Sequence, residues 1–384
     1  MQVTQPLPSL RPVALYAASG LLWLSSATLL GLSSATLLGL SSATLLGQTP
    51  QPVSSNGSST ASTQGSFAAS AENLTVMSWN LEWFYDDQTG DNFSKLGKEQ
   101  SAKTRVLWDA RRDAFASQIA KVSPTILGVQ EVESRRVLWY LSQALSRNHQ
   151  LKYRELGIEG RDHYTEQDVG FLIRPPVDVL RLVQGGYPQR MRATNQYYDL
   201  TKHLMAVLEF EHSGQYEQVL VINVHLRAGE KGGPYRLRQA RLMHHWLRSA
   251  VAAGQNVIAL GDFNTDERGE LLRIDSDIGI ATGLHTADRS DDLIDLNQRI
   301  PKNQRQTHLL PGRQFDRILC SPSLLEDDPA RPDLVFKKIE VLRELAVRGD
   351  PDTPDTHWES DVSSSSDQRD LSDHYPVMAT FEVR

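Results

Sequence analysis

The chain has 384 residues and a formal net charge of −7, and the charged residues among its first 72, Arg11 and Glu72, cancel. The whole acidic excess therefore lies beyond position 72, which excludes a uniformly basic nucleic-acid binder, since phosphate neutralisation dominates such affinity. Cys320 is the only cysteine, so an intrachain disulfide is excluded as well.

Arg11 precedes an uncharged, largely apolar stretch over residues 12–47. Within it, Leu24-Ser25-Ser26-Ala27-Thr28-Leu29-Leu30-Gly31 recurs from Leu32 and again from Leu40. A period of eight matches no solenoid, and duplication of a coding block accounts for it. One positive charge before an apolar run fits an export signal. The run also exceeds the roughly 20 residues that cross a bilayer. Residues 1–47 are therefore read as a signal peptide or a retained membrane anchor. Residues 48–72 are rich in Ser, Thr, Gln and Pro, the composition of a disordered linker. A cleaved leader and a tether would each leave the domain at 73–384 outside the cytoplasm.

That domain reads as short apolar strands alternating with helices. Val76-Met77-Ser78-Trp79-Asn80-Leu81-Glu82 is a strand ending on Asn80 and Glu82. Residues 103–122 place Val106, Leu107, Ala110, Ala114, Phe115 and Ile119 at helical spacing, and Ser123-Pro124 stops the helix. A strand over 125–132 ends on Gln130 and Glu131, and a helix over 135–146 follows. Residues 168–173 form a strand cut by Pro175-Pro176. Residues 203–210 and 218–224 form a strand pair, the second running into His225. A helix over 235–253 is closed by Gly254. The strand 256–260 leads into Gly261-Asp262-Phe263-Asn264. Asp316 opens another short strand, and Leu371-Ser372-Asp373-His374-Tyr375-Pro376-Val377 leads into the last. Residues 86–102, 184–202 and 349–370 read as long loops, with 363–366 mobile. Hairpins mixed with helices fit an α/β two-layer β-sandwich of mixed sheets flanked by helices better than a doubly wound parallel sheet.

Acidic, amide and imidazole groups thus recur at strand ends. Hard divalent cations take oxygen ligands, and phosphate-ester cleavage needs a metal, a positioned water and a polarised phosphoryl oxygen. The ordered series Asn80, Gln130-Glu131, His225-Leu226, Gly261-Asp262-Phe263-Asn264, Asp316-Arg317-Ile318 and Ser372-Asp373-His374-Tyr375-Pro376-Val377 resembles the endonuclease/exonuclease/phosphatase superfamily. That superfamily includes pancreatic-type deoxyribonucleases, abasic-site endonucleases, inositol-polyphosphate phosphatases and neutral sphingomyelinases. The resemblance covers 73–384 and implies a deoxyribonuclease-like sandwich using Mg²⁺, or Mn²⁺ or Ca²⁺.

It also implies roles. Glu131 becomes the principal metal ligand, with Asp373 reaching the metal site, Asn80 assisting the metal or holding a phosphate oxygen, and Glu82 a second metal ligand or a support behind the ligands. Asp262 orients and deprotonates the attacking water, and Asn264 bonds a phosphoryl oxygen. His374, oriented by Asp316, contacts the scissile phosphate or acts in proton transfer, and His225 is a second donor to the phosphate. Arg227, Arg238 and Arg241 form a basic patch that either holds substrate phosphates or is a solvated helix face. His163 and Tyr164 are candidates to line the cleft, and His244-His245 read as surface or core residues. The first functional reading is an exported, monomeric nuclease acting on DNA or RNA. The second is a phosphodiesterase or phosphatase for a lipid or small phosphate ester, brought to a membrane by the N-terminal segment. A catalytically dead binding domain comes third, because none of the ligand positions is lost.

Overall fold

The computed structural model describes residues 73–265, 273–359 and 369–384. The expectations for 1–47, for 48–72 and for mobility at 363–366 lie outside the described residues. Among the described residues, no helix is long and apolar enough to cross a membrane.

In chain order the strands are β1 (Asn73–Phe84), β2 (Ile126–Val132), β3 (Arg154–Gly157), β4 (Asp168–Ile173), β5 (Val177–Val183) and β6 (His203–His212). Then come β7 (Gln215–His225), β8 (Asn256–Asp262), β9 (Ile294–Asp295), β10 (Asp316–Cys320), β11 (Leu334–Val341) and β12 (Val377–Val383). The helices are α1 (Lys95–Gln100), α2 (Arg105–Val122), α3 (Arg135–His149) and α4 (Gln189–Arg192). They continue with α5 (Gly233–Ala252), α6 (Asp277–Ala281), α7 (Arg343–Ala346) and α8 (Pro354–Glu359). The long helices begin and end as their sequences dictate. Thr104 caps α2 by accepting the Leu107 N–H, and Gly254, at φ 72°, follows the end of α5. The three stretches expected to be loops each hold a short helix, α1, α4 and α8 respectively.

The strands form two six-stranded mixed sheets, ordered β11-β12-β1-β2-β4-β3 and β5-β6-β7-β8-β10-β9. Period-two alternation sorts each strand between two cores. In β1, Leu74 and Val76 face the opposite sheet, whereas Met77, Trp79 and Leu81 face the helices. In β8, Ile258 and Leu260 point inward, whereas Val257 and Ala259 pack against α5. The result is the expected sandwich flanked by helices. A Cβ on Gly128 would lie 2.5 Å from Leu260 Cδ1, so the bare glycine lets the opposite sheet approach closely.

The same alternation builds the site. Continuing the inner faces of β1, β7 and β8 to one end gives Asn80, His225 and Asp262, and Asp316 opens the inner face of β10. Pairing aligns them: His225 stands opposite Asp262 in the parallel β7–β8 pair, and Asp316 opposite Asp262 in the antiparallel β8–β10 pair.

Candidate active site

Glu131 is the exception to the alternation, and a bulge explains it. β1 and β2 lose register between Asn80 and Phe84, and β2 and β4 between Gln130 and Val132. Glu82, Trp83 and Glu131 adopt φ of 47°, 51° and 58°, the left-handed region costly to side chains with a Cβ. The kink turns the Glu131 carboxylate into the cluster, where it accepts from the Asn80 amide at 3.2 Å and the Trp83 N–H at 3.1 Å. Half-buried Arg111 holds the bulge by donating to the carbonyls of Leu81, Glu82 and Trp83.

Asp262 lies at the centre. Its Oδ2 accepts from the Asn80 amide at 3.1 Å and the Asn264 amide at 3.0 Å, and its Oδ1 from the Asn264 N–H at 2.8 Å. Two imidazoles flank it, with His225 Nε2 at 3.5 Å and His374 Nε2 at 3.8 Å from Oδ2. The histidines differ in charge. Burial and Lys202 pull His225 down to about 3, so it is neutral. Burial opposes the charge on His374 too, but Asp316 and Asp262 outweigh it and raise its pKa well above the usual range. Asp316 makes that possible through a 2.8 Å bond to His374 Nδ1.

Asp373 adjoins this pair. Trp358 Nε1 donates to its Oδ2 at 3.2 Å, and His308 Nε2 lies 3.5 Å from the same oxygen. His308 Nδ1 accepts the Leu310 N–H, so its neutral ring carries the proton on Nε2, facing Asp373. Burial works against the Asp373 charge, but the His308 bond and His374 overcome it, and its pKa lies below the carboxylate range.

The donor set fits a divalent cation. Glu131, His225 and Asp262 each offer a ligand atom within 4.8 Å of one another; His308, Asp373 and His374 also cluster, but the proton on His308 Nε2 and the charge on His374 keep those rings from a cation. Burial, with Asp373 next, pushes Glu131 up to about 7, the signature of a charge that needs a cation. Asp316 Oδ1 and His225 Nδ1 are buried without a hydrogen-bond partner.

Several residues stand differently from their sequence expectation. Glu82 is not among the metal donors: its carboxylate bonds Arg369 at 2.7 Å and His357 Nε2 at 3.0 Å, because the bulge turns it outward. Asn80 presents its amide nitrogen, a donor, to Glu131 and Asp262, while its oxygen accepts the Glu82 N–H at 2.9 Å. It therefore orients the carboxylates rather than adding an oxygen ligand. Asn264 likewise bonds Asp262 and the Leu226 carbonyl, which takes its donors away from a phosphate. Arg238 and Arg241 donate to the carbonyls of Tyr197 and Gln196, bracing the 184–202 loop against α5. Arg227 alone of that trio is exposed at the cleft.

A cleft of about 570 Å³ opens onto Glu131 and His225, walled by Trp83, Tyr164, Tyr198, Arg161, Lys202 and Arg227. Tyr164 lines it as expected, and His163 is not among its walls. His308, Trp358 and Arg111 went unforeseen. Only Arg111 left a signal in the sequence, a cation beside the apolar positions of α2.

Buried carboxylates around two unlike imidazoles at one end of a mixed β-sandwich define a metal-dependent phosphoesterase. The Endonuclease/Exonuclease/phosphatase family model matches residues 77–374, and the chain belongs to that family. No curated protein matches the chain. Among solved structures, a humanised D. rerio TDP2 shares 17% identity over 81% of this chain and 100% of its own, with a TM-score of 0.50. Truncated Caenorhabditis elegans TDP2 shares 19% over 81% and 98%, with 0.48. The human Nocturnin catalytic domain shares 16% over 82% and 95%, also with 0.48. At 17% identity the likeness to the D. rerio protein bears on the fold alone.

Proposed function

We propose that the chain hydrolyses phosphodiester bonds of DNA or RNA, using Mg²⁺ or else Mn²⁺ or Ca²⁺, outside the cytoplasm. The cleft carries this reading. Its walls hold aromatic faces, Trp83, Tyr164 and Tyr198, and cationic groups, Arg161, Lys202 and Arg227, beside the carboxylates of Asp162 and Asp199. Stacking surfaces and phosphate-pairing cations together are how proteins hold single strands. Lys202 pairs with Asp162 and Arg161 with Asp199, whereas Arg227 lies 6.0 Å over the Tyr235 ring. Such a local patch suits a domain whose overall charge is acidic.

Glu131 would hold the cation in this reading, with Asp373 assisting. When bound, the ion polarises a phosphoryl oxygen and favours the negatively charged transition state. Asp262 takes a proton from water as the water oxygen bonds to phosphorus. The ester P–O bond breaks on the opposite side, and the leaving oxygen departs with the bonding pair and takes a proton from solvent water to become a hydroxyl. His374, kept cationic by Asp316, and neutral His225 donate to phosphoryl oxygens as charge builds on them. Asn80 and Asn264 keep Asp262 aimed, so the site is organised before substrate arrives.

The test is a substrate panel of plasmid DNA, RNA, oligonucleotides, sphingomyelin, inositol phosphates and bis(4-nitrophenyl) phosphate, with each metal and with EDTA. Cleavage of nucleic acid at the highest kcat/KM supports the reading. A lipid or inositol phosphate as best substrate replaces it with the second reading. Export rests on the composition of residues 1–47, and fractionation of expressing cells decides it: activity confined to the cytoplasm rejects it.

A further inference from the structure

The geometry points to a second phosphate-binding site beyond the cleft, at the far half of α5, which grips the substrate strand away from the scissile bond. The inference rests on the nucleic-acid reading and deepens it. A separate concavity of about 420 Å³ is lined by Tyr197, Arg241, His245, Arg248, His285 and Thr286, together with Gln196 and His244. No carboxylate is among its walls. Arg248 is exposed at its rim, and Arg241 is half-buried beside it.

Arg241 and Arg248 put two guanidinium groups on its walls, so an anion there would meet cations. Burial lowers the pKa of His245, and Arg248 and Arg190 lower it further; burial, His244 and Arg241 do the same for His285, with Asp291 opposing. Two acids stand behind the walls: Asp291 lies 3.5 Å from His244 Nε2, and Asp292 bonds Arg289 at 3.0 Å. His244 itself is buried, and its Nε2 lies 3.2 Å from the Asp291 carbonyl, so the ring closes the back wall.

The position suits a continuous strand. Adjacent residues serve the two concavities: Tyr198 lines the catalytic cleft and Tyr197 lines this one. Gln239 lines the cleft and Arg248 this site, nine residues or about 14 Å further along α5 at 1.5 Å per residue. Stacked phosphates on one strand recur at ~3.4 Å along the axis, so the second site lies about four nucleotides away, and fewer for an extended strand. Arg238 and Arg241 pin the ridge between the two sites by bonding the Tyr197 and Gln196 carbonyls. The site thus makes activity depend on strand length.

The test compares the full chain with a variant carrying His245→Gln and Arg248→Ala; neither residue lies in the catalytic cleft. The substrates are single-stranded oligonucleotides of increasing length, from dinucleotide to decamer, and bis(4-nitrophenyl) phosphate. In the unaltered chain, kcat/KM should rise with length until the strand spans both sites. The double variant should lose about tenfold on the longest strands through KM, and its salt dependence should flatten by about one phosphate contact. The dinucleotide and the small ester should be hydrolysed equally by both forms. Equal length profiles and salt slopes in the two forms overturn the proposal while leaving the nuclease reading intact. An equal loss on the small ester also overturns it, since the residues would then support the fold. Failure of both forms to cut any nucleic acid, with the small ester still cleaved, rejects the nuclease reading and this site with it.

Discussion

At the residue scale, the site works by giving like groups unlike environments. His374 has a carboxylate 2.8 Å from its Nδ1 and carries charge; His225 has a buried, partnerless Nδ1 and carries none. Replacing Asp316 by Asn keeps the shape but removes the charge that sustains the imidazolium. Turnover should fall by about 10²-fold or more, the usual worth of a positioned proton donor. Steady-state kinetics on bis(4-nitrophenyl) phosphate, with circular dichroism as a fold control, checks it, and near-native kcat contradicts the assignment. Glu131 is governed by burial instead. Glu131→Gln removes a carboxylate whose pKa burial and Asp373 push up to about 7, so the metal-free fold should hold or gain stability. Activity should drop at least ~10²-fold, because metal charge stabilisation is worth several kcal/mol. The diagnostic combination is an undiminished Tm in EDTA with lost metal affinity by calorimetry. Retained activity, or full activity of the unaltered chain in excess EDTA, removes Glu131 from the metal.

At the element scale, the strand ends are held out of regular geometry by particular neighbours. Arg111 supplies donors to three consecutive carbonyls of the β1 bulge. Burial lowers its pKa to about 10, so it stays cationic at neutral pH. Arg111→Met fills the space but leaves those carbonyls without their donor, at about 1–3 kcal/mol for each buried group left unpaired. Chemical denaturation should show the loss, and kcat should fall with it, since the bulge aims Glu131. A variant that loses stability but keeps kcat separates the bulge from catalysis. Gly261 is the second such point. It adopts φ 141°, and a Cβ there would lie 2.0 Å from the Val224 carbonyl oxygen of the paired strand. Gly261→Ala should therefore part β7 from β8 beside His225 and Asp262. The expected cost is at least ~2 kcal/mol from strain and clash, read as a lowered Tm; an unchanged Tm contradicts the rigidity of that pairing.

At the scale of the whole molecule, the two sheets are joined by an apolar core and by buried polar bridges, of which one lies just below the site. Gln130 donates to Asn223 Oδ1 at 2.6 Å, and Asn223 donates to the carbonyls of Val129 at 2.9 Å and Gly170 at 2.8 Å. This bridge ties β7 to β2 and β4 just below the site, so it fixes the spacing between His225 and Glu131. The domain boundary near residue 73, read from composition, yields its own prediction. Mild proteolysis of the full chain should leave a stable, fully active fragment beginning between about residues 48 and 71, where large apolar groups are scarce. Mass spectrometry and activity of the isolated fragment check it, and an inactive product shows that catalysis needs the N-terminal part.

Much of this protein was legible in its sequence because two short-range rules govern it. Period-two alternation marked the strands that make the sandwich, and helical spacing marked α2, α3 and α5. Motif order identified the family and named Glu131, His225, Asp262, Asp316, Asp373 and His374, which the fold gathers at one end. The same rules fail where the chain leaves them. Alternation says nothing about Glu82 and Glu131 once a bulge intervenes, so one carboxylate turns to Arg369 and the other to the site. An arginine on a helix looks alike whether it meets solvent or a loop carbonyl, and only the packing of the 184–202 loop shows Arg238 and Arg241 to be braces. His308 and Trp358 reach Asp373 from segments without a motif, because a hydrogen bond depends on distance in space and not along the chain. The sequence by itself determined the sandwich, the family and the identity of most of the reactive groups, since these follow from local periodicity and residue chemistry. Tertiary structure alone decided which atom of each group faces the site and what charge it carries, since direction and charge are set by neighbours from distant strands.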